Sequence, residues 1–494
     1  MTPELADAGV EVCADPARVI LRLFLPGEAT PGSPSRTQGV LERLLALPPG
    51  ELSAIAADVR ERYSTRHPHL EDDLRRHART IRPDLDFPPD DNLGIALGAV
   101  FSAEVAPEGA CVCNPSVVAH PDQSALLAGQ LRVVVSLRLI GEGHRSSIGF
   151  CEAVIGPGRT WVFAERAAPL HLARIDEGLW DRTHLLRALE HRGSTDELAR
   201  TVLQALPEQF GSGAIERAVQ NLSPDLLHHA QARGEQEAIR VVAGSAYRAT
   251  FSRASALSQR VLVPVADEEA HGIEDLRLVR FGAGEYRGTY TAYDGHSIAT
   301  RLLVTADFRS FAVHRLTGRC AGTKGLALFP RPVGAAHLAL ARSDGETLAL
   351  TTSADGLDWS EEVPLHYKRR SWEIVQSGTC GPPMETEAGW LVITHGVGAM
   401  RAYGLGALLL DLEDPTKVLG SLDGPLLPPD DASMGYVPNV VYSCGSILHD
   451  DIVWIPYAVA DQRTRVASVP LSELMARLLS PQVRQHEREE VLDG

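Results

Sequence analysis

Between Ser371 and Pro415 the chain reads SWEIVQSGTCGPPMETEAGWLVITHGVGAMRAYGLGALLLDLEDP. Short apolar runs, Leu391–Thr394 and Leu405–Leu410, alternate here with tight Gly/Pro turns. That alternation confines the segment to antiparallel up-and-down strands joined by short connections. Glu385, His395, Arg401, Tyr403 and Asp411 stand at the strand ends. Strand ends on one rim are where a β-fold gathers residues around a ligand, so the segment reads as scaffold plus site.

The same texture extends well beyond this segment. Residues 1–104 form a mostly helical extension: a short strand candidate, Val19–Phe24, precedes GVLERLLAL, LSAIAADVRERYSTR and LEDDLRRHART at helical spacing. Residues 105–172 turn to β-type runs, LRVVVSLRLI the clearest, and residues 249–470 are strands and turns again. Between them, 173–248 returns to helix, with Ser194 ahead of Asp196 and Glu197 as a helix start. Residues 471–494 read as a closing helix and a charged tail. Within the β region an acidic turn followed by an aromatic recurs in TADFRSF and SADGLDW. Repetition in an all-β section suggests propeller blades; a β-sandwich is the plain alternative, which more than 200 residues of strand would overfill. The helical stretch 173–248 is then an insertion within, or a cap over, the first part of the propeller.

Net charge and cysteines narrow the function. A net charge of −17 argues against nucleic-acid binding, which needs a basic face, yet leaves room for a local basic pocket. Seven scattered cysteines fit reduced thiols in the cytoplasm. The CxC pair Cys111 and Cys113 has no second pair, so no metal site is expected. No basic start with an apolar stretch opens the N-terminus, and no run is long enough for a membrane span.

The chemistry concentrates in a few places. GIEDLRLVRF sets Glu274, Asp275 and Arg277 together at a strand start. Two carboxylates beside a guanidinium can hold different protonation states, one ionised and one a general acid; a surface salt bridge is the ordinary alternative. TAYDG presents Tyr293 and Asp294 at a turn, where a simple hairpin also suffices. Arg301, Lys324 and Arg342 lie in or beside strands. Cations there face either solvent or an anion, so converging from neighbouring blades they would clamp a phosphate or carboxylate. Gly325 lets the backbone turn next to Lys324. His395 ends a strand as a pocket or structural histidine, and Asp461 and Asn114 could bond sugar hydroxyls or cap turns. With no nucleophile elbow, phosphate loop or dinucleotide motif, carboxylate acid/base chemistry on a polar substrate fits best.

In order along the chain, CNPSVV, GHRSSIGF, EDLR, TAYDG, TKGLALFPR, GPPMETEAGWLVITHGV, YGLGALLLDLEDP, GYVPNVVYSCG and PYAVAD resemble glycoside hydrolase family 130, the β-mannoside phosphorylase and mannosidase family. The resemblance covers roughly 105–170 and 250–470 and is closest to the longer members with extra N-terminal helical sequence. It implies a mainly β fold, a five-bladed β-propeller, here with additional N-terminal and inserted α-helical segments. It implies Asp275 as general acid, acting through the mannose 3-hydroxyl, while phosphate attacks the anomeric carbon with inversion. Arg301, Lys324 and Arg342 would hold phosphate, with His395 and Tyr403 in the same pocket. Asn114, Arg132 and Asp461 would contact the mannosyl unit, and Glu274, Tyr293 and Asp294 join the sugar-binding candidates.

The chain departs from the family pattern at Leu276, where proline is usual, at Thr323, where long members carry asparagine, and at Ser433–Met434 before Gly435. The implied reaction uses inorganic phosphate as co-substrate, with no metal or other cofactor. The implied partners are β-mannoside oligosaccharides, and no nucleic acid or membrane; homo-oligomers occur in the family. Two other readings stand beside phosphorolysis. One is an inverting β-mannosidase using water, with Glu274 or Glu385 as base; its carboxyls would need about 6.5–9.5 Å between them, and adjacent strand residues point to opposite faces. The other is a catalytically silent sugar-binding propeller.

Overall fold

Strand pairing in the computed structural model follows chain order almost throughout. It describes residues 5–27, 35–195, 197–224, 230–282, 284–367, 369–429 and 435–480, with the backbone alone for 230–233. The expectations at Asp196, at Ser433–Met434 and for the tail 481–494 lie outside these residues.

The chain divides into two units, the larger made of 1–14, 110–166 and 172–494. In it Cys111–Ala119, Leu131–Ile140, Ser146–Gly156 and Thr160–Phe163 form a first antiparallel group. Gly272–Phe281, Glu285–Tyr293, Ile298–Thr305 and Ser310–Arg315 form a second, extended by Tyr247–Thr250 and Arg174–Glu177. A third comprises Ala327–Leu328, His337–Ala341, Ala349–Ser353 and Glu362–Pro364. The fourth contains Gln376–Thr379, Met384–Thr386, Gly389–Val397, Tyr403–Leu410 and Val418–Ser421. The fifth contains Val441–Tyr442, Ile447–His449, Ile452–Val459 and Arg463–Pro470. Its outer edge is completed by Ala6–Val12, which pairs with Arg463–Pro470. Residues 6–12, expected at the head of a helical extension, are therefore strand. Backbone groups on an open edge need partners, and the first strand supplies them to the last.

The acidic-turn recurrence is structural. Asp307, Asp355 and Asp411 each accept two backbone N–H groups in the turn leading to the last strand of the second, third and fourth groups.

Apolar seams join successive groups. Val134 and Phe150 pack with Leu278 and Phe311; Leu302 and Leu316 with Leu328 and Ala339; Leu340 with Trp390 and Val392; Ile393 and Leu405 with Val453 and Ile455. Cys111, Cys113 and Ile140 of the first group pack with Ala458 of the fifth. Removing these side chains from water is the main force holding the groups together.

Between the first and second groups the chain inserts helices Arg182–His191, Glu197–Ala205, Ser212–Gln220 and Ala230–Gly244. The first is capped by Asp181, which accepts from the His184 N–H at 2.8 Å. Their apolar faces, including Leu189, Val202, Val219 and Ile239, make a core of their own together with Trp180 of the strand Trp180–Asp181.

The smaller unit comprises 15–109 and 167–171. Ile20–Leu23 pairs with Ser102–Val105, beside helices Arg36–Leu45, Pro49–Tyr63, Leu70–Ile81 and Asn92–Val100. Leu41, Leu44, Ala78, Phe87, Leu97 and Phe101 form its centre. No helix among the described residues is long and apolar enough to cross a membrane.

Candidate active site

Several side chains that carry charge or amide chemistry sit on left-handed backbone, and four of them belong together. Asn114, Asp275, Arg401 and Asp461 have φ of 48°, 58°, 55° and 47°. Non-glycine residues in this region cost about 1–3 kcal/mol each, a strain that surrounding packing must offset. All four line one cavity of about 330 Å³ in the larger unit.

The conformation at Asp275 follows from a β-bulge. Pairing of Gly272–Phe281 with Glu285–Tyr293 shifts register between Glu274 and Arg277, which breaks the strict alternation of faces. Glu274 and Asp275, expected on opposite faces, both reach Arg138: Nη2 lies 2.8 Å from Glu274 Oε1 and Nη1 3.5 Å from Asp275 Oδ1. A matching register shift between Cys113 and Ser116 turns Asn114 inward, where its Nδ2 donates to Asp275 Oδ1 at 2.7 Å. Lys324 Nζ takes the other Glu274 oxygen at 2.8 Å, and Gly325 beside it has φ 97°, as a turn next to that lysine requires.

The opposite carboxyl is Asp461, in the turn that joins the long strands of the fifth group. Burial pushes it up to about 6, with Arg138 and Arg401 opposing and Asp275 and Glu274 reinforcing the rise. Burial would raise Asp275 too. There the cations Arg138 and Arg277, the Asn114 hydrogen bond and Lys324 outweigh it, and hold the carboxyl below its usual range. Two carboxyls of one cavity are thus driven apart in protonation.

The cationic side is equally specific. Arg277 donates to the Asp275 carbonyl and to the Tyr442 hydroxyl, both at 2.9 Å. Arg342 Nη1 and Gln376 Nε2 both lie 3.2 Å from His395 Nε2. Both are donors, so Nε2 is the acceptor. Burial, then Arg342 and Arg277, push the imidazole far below its usual range; His395 is neutral. Its ring stacks on Tyr403 at 6.2 Å and tilts against Tyr442 at 4.9 Å. Asn114 Oδ1, Arg277 Nε and Arg342 Nε are buried without a partner among the described residues, which leaves hydrogen-bonding capacity for a polar ligand.

Of the residues expected from sequence, Asn114, Asp275, Lys324, Arg342, His395, Tyr403 and Asp461 line this cavity. Glu274 stands behind it, both oxygens occupied. Arg301 is a correction. It is fully buried and paired with Glu268, which also binds Arg315 and Arg192; that pairing leaves it no access to the cavity. Arg132 is a second correction: its guanidinium holds the carbonyls of Asp122 and Ser124 at 3.0 and 3.2 Å. The cavity cation of that strand is Arg138, six residues on. Asp294 caps its own turn, accepting from the His296 and Ser297 N–H groups. The Tyr293 hydroxyl bonds the Gly295 carbonyl at 2.8 Å. Neither lines the cavity. Glu385 is ion-paired to Arg331 at 2.5 Å, outside it.

Arg138, Gln376 and Tyr442 were not singled out from the sequence, whereas Arg277 was read as the guanidinium beside the two carboxylates and Arg401 as a strand-end group near a ligand; both line the cavity. The signal for Arg138 was present, a cation embedded in an apolar strand. The departures are quiet: Leu276 is a core residue, and the Thr323 hydroxyl donates to the Cys320 carbonyl at 3.2 Å.

A family model described as beta-1,4-mannooligosaccharide phosphorylase matches residues 248–479. The chain is 30% identical over 223 residues to the 1,2-beta-oligomannan phosphorylase of Thermoanaerobacter sp. (strain X514), covering 44% of this chain and 75% of that protein. The chain belongs to glycoside hydrolase family 130. A second family 130 relative, the beta-1,2-mannobiose phosphorylase of the same organism, is 32% identical over 214 residues, 42% of this chain and 70% of that protein. The solved beta-1,2-mannobiose phosphorylase from Listeria innocua, in complex with beta-1,2-mannobiose, aligns over 74% of this chain and 93% of its own. Its identity is 20% and its TM-score 0.43. As a family 130 member the protein is an enzyme, a glycoside phosphorylase or glycosidase.

Proposed function

We propose that this family 130 enzyme is an inverting phosphorylase of β-mannosides, yielding mannose 1-phosphate and a shortened sugar. The observation that carries this reading is the convergence of Arg277, Lys324, Arg342 and Arg401 with two carboxyls in one cavity. Hydrolysis by water has no use for so many cations, whereas a phosphate dianion does. The named activities of the two Thermoanaerobacter relatives support the substrate class.

In this reading phosphate lies against Lys324 and Arg342, with His395 and Tyr403 beside it, while Asn114 and Asp461 bond the mannosyl hydroxyls. A phosphate oxygen attacks the anomeric carbon on the face opposite the leaving oxygen. The glycosidic bond breaks, and the leaving oxygen takes a proton that Asp275 supplies through the mannose 3-hydroxyl. Asp275 must be protonated at that point. Arg277 and Lys324, which help hold it ionised in the free site, are groups that a bound dianion would neutralise, and the dianion's own charge favours proton uptake.

We further propose that the five strand groups are the blades of a five-bladed propeller. Five apolar seams linking the groups in a cycle, and a first strand completing the last group, support ring closure. We place the reaction in the cytoplasm, a reading supported by seven free cysteines.

Incubation with β-linked manno-disaccharides, with and without phosphate, tests the reaction. Mannose 1-phosphate formed only with phosphate is expected. Free mannose released at the same rate without phosphate would overturn phosphorolysis.

A further inference from the structure

The cavity is lined mainly by charged and polar side chains, whereas several residues close to its lining residues in the chain are apolar and exposed. The register of the fourth group orders residues outward along two adjoining strands. Gly378 faces His395, Gln376 faces Val397, and Val397 faces Tyr403. Of these, His395, Gln376 and Tyr403 line the cavity. One step further out come Val375, bonded through its N–H to the Val397 carbonyl at 2.9 Å, and Ile374. The hairpin tip at the same end is Ala399–Arg401, with Arg401 turned into the cavity and Met400 turned away from it. Ile374, Val375 and Met400 are 62%, 56% and 88% exposed. On another rim loop Tyr436, next to the cavity-lining Val437, is 49% exposed and stacks on His144 with centroids 5.6 Å apart.

This exposure is imposed by rigid packing. Trp372 lies flat across the fourth group in a slot of glycines. A Cβ on Gly396 or Gly406 would come within 2.4 or 2.6 Å of its indole. The buried Glu373 accepts from the Arg370 N–H at 3.0 Å. With Trp372 and Glu373 fixed on one side and Gln376 on the other, Ile374 and Val375 have nowhere to turn but outward. Several exposed apolar side chains on the strand end and hairpin tip that flank a ligand cavity point to binding more than an isolated one does. At about 330 Å³ the cavity takes one sugar ring and an anion, so whatever is joined to that ring extends beyond it.

We propose that Ile374, Val375 and Met400 receive an apolar aglycone, alkyl or aryl, on the leaving side of the scissile bond. This rests on the mannoside reading above and names the substrate class more closely: amphipathic β-mannosides. The polar cavity reads the mannosyl unit, and the rim adds affinity by removing apolar surface from water.

The test is calorimetric binding of methyl, hexyl and phenyl β-mannoside to the full chain, its Met400→Ser variant and the combined Ile374→Ser, Val375→Ser, Met400→Ser variant. Hexyl or phenyl mannoside is expected to bind about tenfold more tightly than methyl mannoside, with the advantage shrinking in Met400→Ser and approaching one in the combined variant. Equal affinities in the unmodified enzyme, or an advantage that survives both variants, would overturn the proposal. So would light scattering that shows a dimer lost in Met400→Ser, since a second copy would then occupy the rim. Mannose 1-phosphate production from the same glycosides is followed separately. Its absence would overturn phosphorolysis while the affinity ratio still decides the rim, and no binding of any mannoside would overturn both.

Discussion

Two clusters of arginines lie in the larger unit, and they have opposite fates. Arg301 and Arg315, cross-strand partners, close on Glu268 together with Arg192. Burial and the neighbouring Arg301 push Arg315 down to about 10 against the pull of Glu268. Arg138, Arg277, Arg342 and Arg401 instead surround a cavity with Asp275 and Asp461 across from them. The first cluster is a packing device closed on Glu268 away from the cavity, even though Arg301 Nε and Nη1 and Arg315 Nε have no partner among the described residues. The second lines a cavity that something arriving can enter. A cation in a strand is therefore no indicator of a ligand until its partners are known, because a buried charge can be satisfied either way.

The strongest way to break this comparison is to neutralise one carboxylate from each cluster. Asp275→Asn is expected to lower turnover by about 10²–10⁴-fold, with mannoside affinity retained in calorimetry. Glu268→Gln is expected to leave chemistry in place and to lower stability by about 3–5 kcal/mol, read by urea denaturation. Equal catalytic loss in both would erase the distinction between the clusters.

Removing cations sharpens it further. Lys324→Ala and Arg342→Ala should each raise the phosphate KM by about 10–100-fold, the loss of a hydrogen bond to a charged group. Arg301→Met should destabilise the fold and leave the phosphate KM alone. A phosphate KM that rises in Arg301→Met would return that residue to the clamp.

The two cavity carboxyls should respond to pH with opposite sign. Asp461 is held up to about 6, above the unfolded value of about 3.9. The folded state binds its proton more tightly, so its contribution to stability is complete below about pH 4 and is lost as pH rises through about 6. Asp275, held below its usual range, contributes stability above the unfolded value and loses it as pH falls. Asp461→Asn should abolish a fall of about 1–3 kcal/mol between pH 4 and 6.5. A fall that persists in the variant would assign it elsewhere. The smallest effect concerns the two arginines of Leu131–Ile140: Arg138→Ala should cost turnover, and Arg132→Ala should change activity by less than about twofold, as expected for a loop contact.

Much of this was legible in the chain. Short apolar runs between Gly/Pro turns specified strands, and the repeated Asp turns at 307 and 355 marked equivalent positions in successive groups, to which the structure adds Asp411. Local chemistry fixes both, since period-2 patterning and Asx turns involve residues close in sequence. Asp275, Lys324, Arg342, His395 and Asp461 could be named because they sit at strand ends in recognisable motifs. Arg301 could not be excluded from sequence, as its partner Glu268 lies 33 residues away. The shared reach of Glu274 and Asp275 toward Arg138 was hidden for a related reason. It requires a register shift, and a bulge moves a side chain between faces without a mark in the residue pattern.

The sequence by itself determined the strand-rich class, the inserted helices and the residues able to do acid/base and anion chemistry, all properties of neighbouring residues. Tertiary structure alone decided which cations meet a carboxylate of the protein and which meet the cavity. It also carried the first strand to the edge of the last group and forced an apolar rim into solvent. Each of those outcomes depends on contacts between residues tens to hundreds of positions apart, whose partners are chosen only when the sheets pack and buried charge must be satisfied.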